Sequence, residues 1–280
     1  MILKNVLRYI GFLSIDVVLG ALAGGIMAVK LLNTQMSVYW WIVLALSVWI
    51  IYTADHLIDS LKIQSKAFAK RRQFYHKYFK KLLGAIIILS TAVIYLSLNF
   101  LSQKIIFYGM FLGAIIFLYF LFLYFSPTEK IRFLPKELIV AIIYTAGIYF
   151  APLTQTSIPI NLLNGLLIFI FFLVVWSDIL LIAVFEYEKD LHDGFISFPI
   201  LFGEKKTTVL IKSILLLVCI LLIYSVFYFD KIRLSAAAIL FLISVFQLII
   251  YTKRKYFIKN ERYRIFTEII FFLPALMYFT

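Results

Sequence analysis

The sequence predicts an all-α integral membrane protein with nine transmembrane helices, and three observations carry that expectation. Hydrophobic residues make up 64% of the 280 positions and charged residues 15%, where a soluble globular domain carries about 25% charged residues. The chain divides into apolar stretches of about the 20 residues that a helix needs to cross a bilayer. The 27 Lys and Arg residues fall unevenly between those stretches, 23 on one alternate side and four on the other, as the positive-inside rule requires of a polytopic protein.

Taken in order, the first span, 9–30, follows Lys4 and Arg8. Its Ala21-Leu22-Ala23 resembles a signal-peptide cleavage site, but Asp16 interrupts the apolar stretch and eight spans follow, so an uncleaved helix is expected. Gly20 and Gly24 have the small-xxx-small spacing that lets helices approach closely. The second span, 36–58, ends in IIYTADHLIDS, and the basic run KRRQFYHKYFKK leads to the third and fourth, 82–100 and 104–125. After YFSPTEKIRFLPKE comes the fifth, 137–153; the sixth, 162–185, runs out through WSDILLIAVFEYEKDLHDG. The seventh, 209–229, holds Cys219, the only cysteine, which excludes an internal disulfide and a cysteine-based metal site. The eighth and ninth are 233–252 and 264–280. An odd number of spans leaves the termini on opposite sides, and the basic count places the N-terminus and the basic loops in the cytoplasm, at the cell (plasma) membrane. No polar linker divides the chain, so residues 1–280 are read as one polytopic domain. The net charge of +13 is thereby assigned to topology, with no nucleic-acid partner.

The 14 acids are more informative. Glu129, Glu204, Asp230 and Glu261 fall in expected loops, and Glu137 and Glu268 near cytoplasmic helix ends, where a solvated surface accounts for them. Asp16 lies inside the first span as either a functional or a packing residue. The other seven gather in two segments: Asp55 and Asp59 at the end of span two, and Asp178, Glu186, Glu188, Asp190 and Asp193 at the end of span six. At 100° per residue, Asp55 and Asp59 lie about 40° apart on one helical face, as do Glu186 and Asp190, with Asp193 about 20° from Glu186. Like charges at this spacing repel, so compensating cations are expected. Asp178, two turns deeper than Glu186, is a further substrate-contact candidate, as is Asp193.

Carboxylate pairs suit Mg²⁺, which takes oxygen ligands and is completed by water and substrate phosphates. Two acid clusters would repel a diphosphate, and bridging Mg²⁺ reverses that repulsion. Asp55, Asp59, Glu186 and Asp190 are therefore the candidate catalytic and metal-ligating residues, and an apolar intramembrane cavity beside them would take a lipid tail. Lys62 and Lys66, just after the first pair, are the best phosphate contacts in the basic run, which is otherwise read as topological. Lys189 is about 100° off the acidic face. Tyr52 and Tyr187 are read as interfacial tyrosines, and His56, His76 and His192 show no metal-ligand spacing.

These residues resemble the UbiA superfamily of intramembrane prenyltransferases. EYEKDLHDGFISFPILFGEKKT is similar to that family's second Asp-rich motif, with Glu186, Asp190, Gly194, Ser197 and Gly203 in the matching positions, and YTADHLIDS resembles the first, with Asp55 and Asp59 as its acidic pair. Nine spans with motifs after the second and sixth also match, so the likeness covers the whole chain. The departures are Ile51 where the first motif has Asn, Glu186 in place of Asp, and no Arg-Pro pair after the first motif. The basic segment after span four resembles the family's Tyr and Lys element, which carries a phosphate role to Lys130, Arg132 and Lys136. The resemblance implies a UbiA-like bundle in the lipid bilayer and Mg²⁺-dependent transfer of a prenyl group from a polyprenyl diphosphate to a small, often aromatic, acceptor. The alternatives are a secondary transporter using intramembrane acids, a CDP-alcohol phosphotransferase, whose Asp-Gly is present at Asp193-Gly194 without the following Ala-Arg, and an inert UbiA-like membrane protein.

Overall fold

The computed structural model describes residues 9–62, 68–125, 135–156 and 161–280, and every regular element among them is helical. In chain order these are α1 (Ile15–Leu31), α2 (Val38–Lys62), α3 (Lys70–Lys77), α4 (Phe79–Phe100), α5 (Gln103–Phe125), α6 (Lys136–Gln155), α7 (Leu162–Asp193), α8 (Phe198–Phe202), α9 (Glu204–Ser225), α10 (Lys231–Thr252), α11 (Arg254–Phe257) and α12 (Arg262–Ile270), followed by a 3₁₀ segment, Leu273–Phe279.

Seven of these helices, α2, α4, α5, α6, α7, α9 and α10, are long and apolar enough to cross a membrane, as a multi-pass membrane protein requires. The expected count of nine is not confirmed at its two ends among the described residues. Ser14 adopts a left-handed conformation (φ 54°) that separates a helical turn at residues 9–12 from α1. The 17 residues of α1 reach about 26 Å, at the lower limit of what crosses a hydrocarbon core of about 30 Å. The last stretch divides into α12 and the 3₁₀ segment, with Pro274 in the first turn of the latter; proline supplies no N–H to continue an α-helix.

The bundle forms around α7. Two thirds of its apolar stretch (67%) is buried, against 6% for α4 and α5, and it packs on α6, α9 and α10. On the other side α1 packs against α2, α6 and the 3₁₀ segment, while α4 lies along α2 and α5 along α6. Hydrophobicity alone does not drive helices together in lipid, so close packing of small residues matters. Gly24 lets α1 meet Ile148 of α6 and Phe171 of α7, and Gly20 lets it meet Phe271 and Tyr144. Gly25 is tightest, because a Cβ there would lie 2.9 Å from Cζ3 of Trp41. Gly25→Leu is therefore expected to cost at least about 1–3 kcal/mol from overpacking, read as a lower thermal midpoint in detergent. Gly165→Ala, where a Cβ meets open space, should not lower it.

Both ends of α7 are chemically specified. At its start the Asn161 side chain accepts the N–H of Asn164 (2.8 Å), and Asn164 Oδ1 accepts from Nε of Arg233 (2.9 Å), joining α7 to α10. At its end Gly194 takes φ 67°, while the N–H of Phe195 bonds the Asp190 carbonyl (2.8 Å) and that of Gly194 the Leu191 carbonyl (3.3 Å). This is a Schellman termination, which uses glycine because an L side chain at positive φ is strained. It stops the helix immediately after its acids and turns Phe195 back over them.

Candidate active site

A polar cavity of about 200 Å³ lies between the ends of α2 and α7 and the start of α6. The register of α2 brings Asp55 and Asp59 to its wall together, and that of α7 brings Asp178, Glu186 and Asp190. Asp55, His56 and Asp59 present ligand atoms within 4.8 Å of one another. Sequence reasoning gave His56 no role; here it lines the cavity beside the first acid pair.

The compensating cations come from distant segments rather than adjacent lysines. Lys136 Nζ bridges the first pair, 2.9 Å from Asp55 Oδ2 and 2.8 Å from Asp59 Oδ2. Arg72 pairs with Asp190 and, at 2.6 Å, with Asp193. Glu186 pairs with Arg264 and accepts the Tyr263 hydroxyl (3.2 Å). Lys189 joins that network through Glu261 (2.5 Å) and Tyr263 (3.2 Å). The Phe195 ring stands between two of these cations, 4.3 Å from the Arg72 guanidinium carbon and 5.5 Å from Lys136 Nζ. Burial works against the Arg72 charge, but Asp190 and Asp193 outweigh it and raise its pKa above the ordinary arginine value.

Asp193 does not line the cavity. Its carboxylate accepts the backbone N–H groups of Phe68 (2.7 Å) and Ala69 (3.3 Å) as well as Arg72, so it fixes the segment that carries the arginine. Lys66, Lys130 and Arg132, with the side chain of Lys62, lie outside the described residues.

The structure adds residues that sequence reasoning passed over. Arg71 lines the cavity and forms no hydrogen bond or ion pair among the described residues. Burial, and then the neighbouring Arg264, lower its pKa, and the Glu186 carboxylate only partly offsets them. Arg71 and Arg72 belong to a run otherwise explained by topology. The residue type was the available signal, since a planar guanidinium fork suits phosphate better than a lysine does. Glu137 and Glu268, expected on a solvated surface, both line the cavity. Glu137 is 6% exposed and accepts the N–H of Phe198 at 2.6 Å, tying α6 to α8. Tyr52, expected to be merely interfacial, lines it as well.

A second, apolar cavity of about 680 Å³ is lined by α2, α4, α5 and α6. Tyr52, Asp55, Val140 and Tyr144 line both cavities, so the apolar chamber meets the polar one at the first acid pair. Oxygen-rich walls suit a hard cation, and Asp55 keeps Oδ1 buried without a hydrogen-bond partner among the described residues, so the donor set fits Mg²⁺.

No protein-family model matches the chain, and no curated protein matches it. Two solved structures of a UbiA homolog from Archaeoglobus fulgidus are similar to it. The one bound to DMAPP and Mg²⁺ has a TM-score of 0.65 at 12% identity, over 96% of this chain and 98% of that one. The one bound to GPP and Mg²⁺ has a TM-score of 0.63 at 14% identity, over 98% and 100%. The chain thus has the fold of these UbiA homolog structures.

Proposed function

We propose that this protein is an intramembrane prenyltransferase that moves a prenyl group from a polyprenyl diphosphate to a small acceptor, with Mg²⁺ as cofactor. The observation that carries the reading is the meeting of the two cavities at Asp55: a diphosphate and a prenyl tail are a charged head joined to an apolar chain, and the protein offers a charged cavity joined to an apolar one. The similar UbiA homolog structures hold DMAPP or GPP with Mg²⁺, which supports the same assignment here.

Asp55 and Asp59 would hold Mg²⁺ from one wall, with Glu186 and Asp190 on the facing helix. When bound, the ion supplies the positive charge that lets a diphosphate approach these carboxylates and leave as an anion. The protein's own groups do the rest. Arg71 is free to bind phosphate oxygens, and Arg72 and Lys136 stand beside it on the same cavity. Tyr52 and Tyr144, at the junction, present aromatic rings where the allylic carbon would lie, each worth about 0.5–2 kcal/mol to a cationic centre. The apolar chamber holds the tail and keeps water from the reactive carbon. We further assign this site to the cytoplasmic face of the plasma membrane, on the basic-residue count.

Purified protein in lipid nanodiscs, given Mg²⁺ and prenyl diphosphates of several lengths, is expected to bind them and, with a competent acceptor, to release diphosphate. No Mg²⁺-dependent binding of any of them would contradict the proposal. Ion or solute flux in vesicles without diphosphate consumption would favour a transporter, and binding without transfer to any acceptor an inert relative. The chamber makes a separate prediction. Gly113 lines it and a Cβ there meets nothing within 4 Å, so Gly113→Phe should fill it. Affinity for geranyl and longer diphosphates should fall about tenfold or more while dimethylallyl diphosphate binding is retained; equal loss for all lengths would place the tail elsewhere.

A further inference from the structure

The end of α7 carries one carboxylate that faces the polar cavity and one that does not. Asp190 lines the cavity, whereas Asp193, three residues later, lies off its wall with a side chain only 1% exposed. Arg72 spans the two with separate arms of one guanidinium, Nη2 on Asp190 Oδ1 (2.5 Å) and Nη1 on Asp193 Oδ2 (2.6 Å). The two contacts are chemically unequal, because only Asp190 stands where an ion or a diphosphate could reach it.

Asp193 is already saturated by groups of this chain. Its Oδ1 accepts the Phe68 N–H (2.7 Å) and lies 3.4 Å from His192 Nδ1, and its Oδ2 accepts the Ala69 N–H (3.3 Å) beside Arg72. Residues 68 and 69 lead directly into α3, so one carboxylate fixes both the approach to that helix and the arginine it carries. The Phe195 ring, turned back by the Gly194 termination, covers the guanidinium 4.3 Å from its central carbon. A guanidinium is a planar fork with arms that bond separately, and here Asp193 and Phe195 hold it even if the arm on Asp190 is released.

We propose that Asp193 is a positioning residue: it keeps Arg72 on the cavity when Asp190 turns from the arginine to Mg²⁺, so that the freed Nη2 arm binds a phosphate oxygen of the diphosphate. This rests on the prenyl-diphosphate reading of the same cavity. An arginine held by Asp190 alone would be repelled once that carboxylate served the ion. Asp193, which does not line the cavity, supplies a counter-charge that the ion does not take. The release of one arm and its capture by phosphate then link the two ligands, each raising the affinity of the other, as coupling between sites requires.

The test uses the full chain in nanodiscs and reads two affinities, that for geranyl diphosphate at saturating Mg²⁺ and that for Mg²⁺ without diphosphate. Asp193→Asn keeps an acceptor for the Phe68 N–H and removes the charge. It is expected to weaken geranyl diphosphate about tenfold, the size of one lost charge-assisted hydrogen bond, and to leave Mg²⁺ affinity close to wild type; a purely structural anchor would lose both. In an Arg72→Gln background the same substitution should weaken the diphosphate no further, because its effect passes through the arginine. Arg72→Lys keeps the charge but cannot span two carboxylates, so it should lose about as much as Asp193→Asn and tests the account even if that variant fails to fold. Undiminished diphosphate affinity in Asp193→Asn or Arg72→Lys, an equal further loss in the Arg72→Gln background, or a parallel loss of Mg²⁺ affinity would overturn the positioning role while wild-type binding stands. Absence of Mg²⁺-dependent binding in the wild type would overturn the diphosphate reading and the positioning role with it.

Discussion

Asp55→Ala is expected to lower Mg²⁺-dependent affinity for geranyl diphosphate by on the order of 100-fold, about 2.8 kcal/mol at 1.4 kcal/mol per decade. Asp55 lines both cavities, and its Oδ1 is a buried acceptor without a hydrogen-bond partner among the described residues. The alanine variant loses that oxygen at the point where charge must be balanced next to an apolar chamber. Equilibrium titration with Mg²⁺ and with EDTA separates this from general damage: the wild type should lose most of its affinity in EDTA, and the variant should have little left to lose. Glu188→Ala, an exposed acid that does not line the cavity, should behave as wild type. Equal tolerance of both substitutions would return the first acid pair to the role of solvated helix-end carboxylates.

Lys136→Met should have the largest effect on stability. Among the described residues its ammonium is the one cation bridging Asp55 and Asp59, and the side chains are 20%, 15% and 12% exposed, respectively. Removing one partner from a largely buried ion pair costs about 3–5 kcal/mol, because the remaining charges stay desolvated. Here two carboxylates would face each other. The thermal midpoint in EDTA is expected to fall sharply, and added Mg²⁺ should restore it more in Lys136→Met than in wild type, because an ion that binds only the folded state stabilises it by mass action. Equal Mg²⁺ shifts in the two proteins would mean that these acids do not bind the ion.

The helices were readable because apolar length is a strong signal: the second to eighth expected spans coincide with α2, α4, α5, α6, α7, α9 and α10. The ends were less so. Pro274 was visible, yet hydropathy averages over it, and nothing in Leu13-Ser14-Ile15 announces the left-handed turn at Ser14. The acids of the site were readable for a geometric reason, since residues four apart share a helix face without knowledge of the tertiary fold. Their partners were not, because Lys136 lies 77 residues from Asp59 and Arg72 lies 118 from Asp190; such pairings depend on how α3, α6 and α7 pack. Glu268 and Tyr144 were hidden for the same reason. Ile51, the departure from the family's first motif, lines the apolar chamber, so an apolar residue there continues the wall on which the tail would lie.

A diphosphate bound as proposed sits in the polar cavity while its tail enters the chamber past Asp55. Photocrosslinking with a diazirine-tailed prenyl diphosphate, followed by peptide mapping, tests it most directly. The expected result is label on chamber residues of α4 and α5, such as Ser97, Leu112 and Ile116, that appears with Mg²⁺ and disappears in EDTA or with excess geranyl diphosphate. Label confined to the outer, lipid-facing surface, or label on the chamber that is indifferent to Mg²⁺, would contradict it.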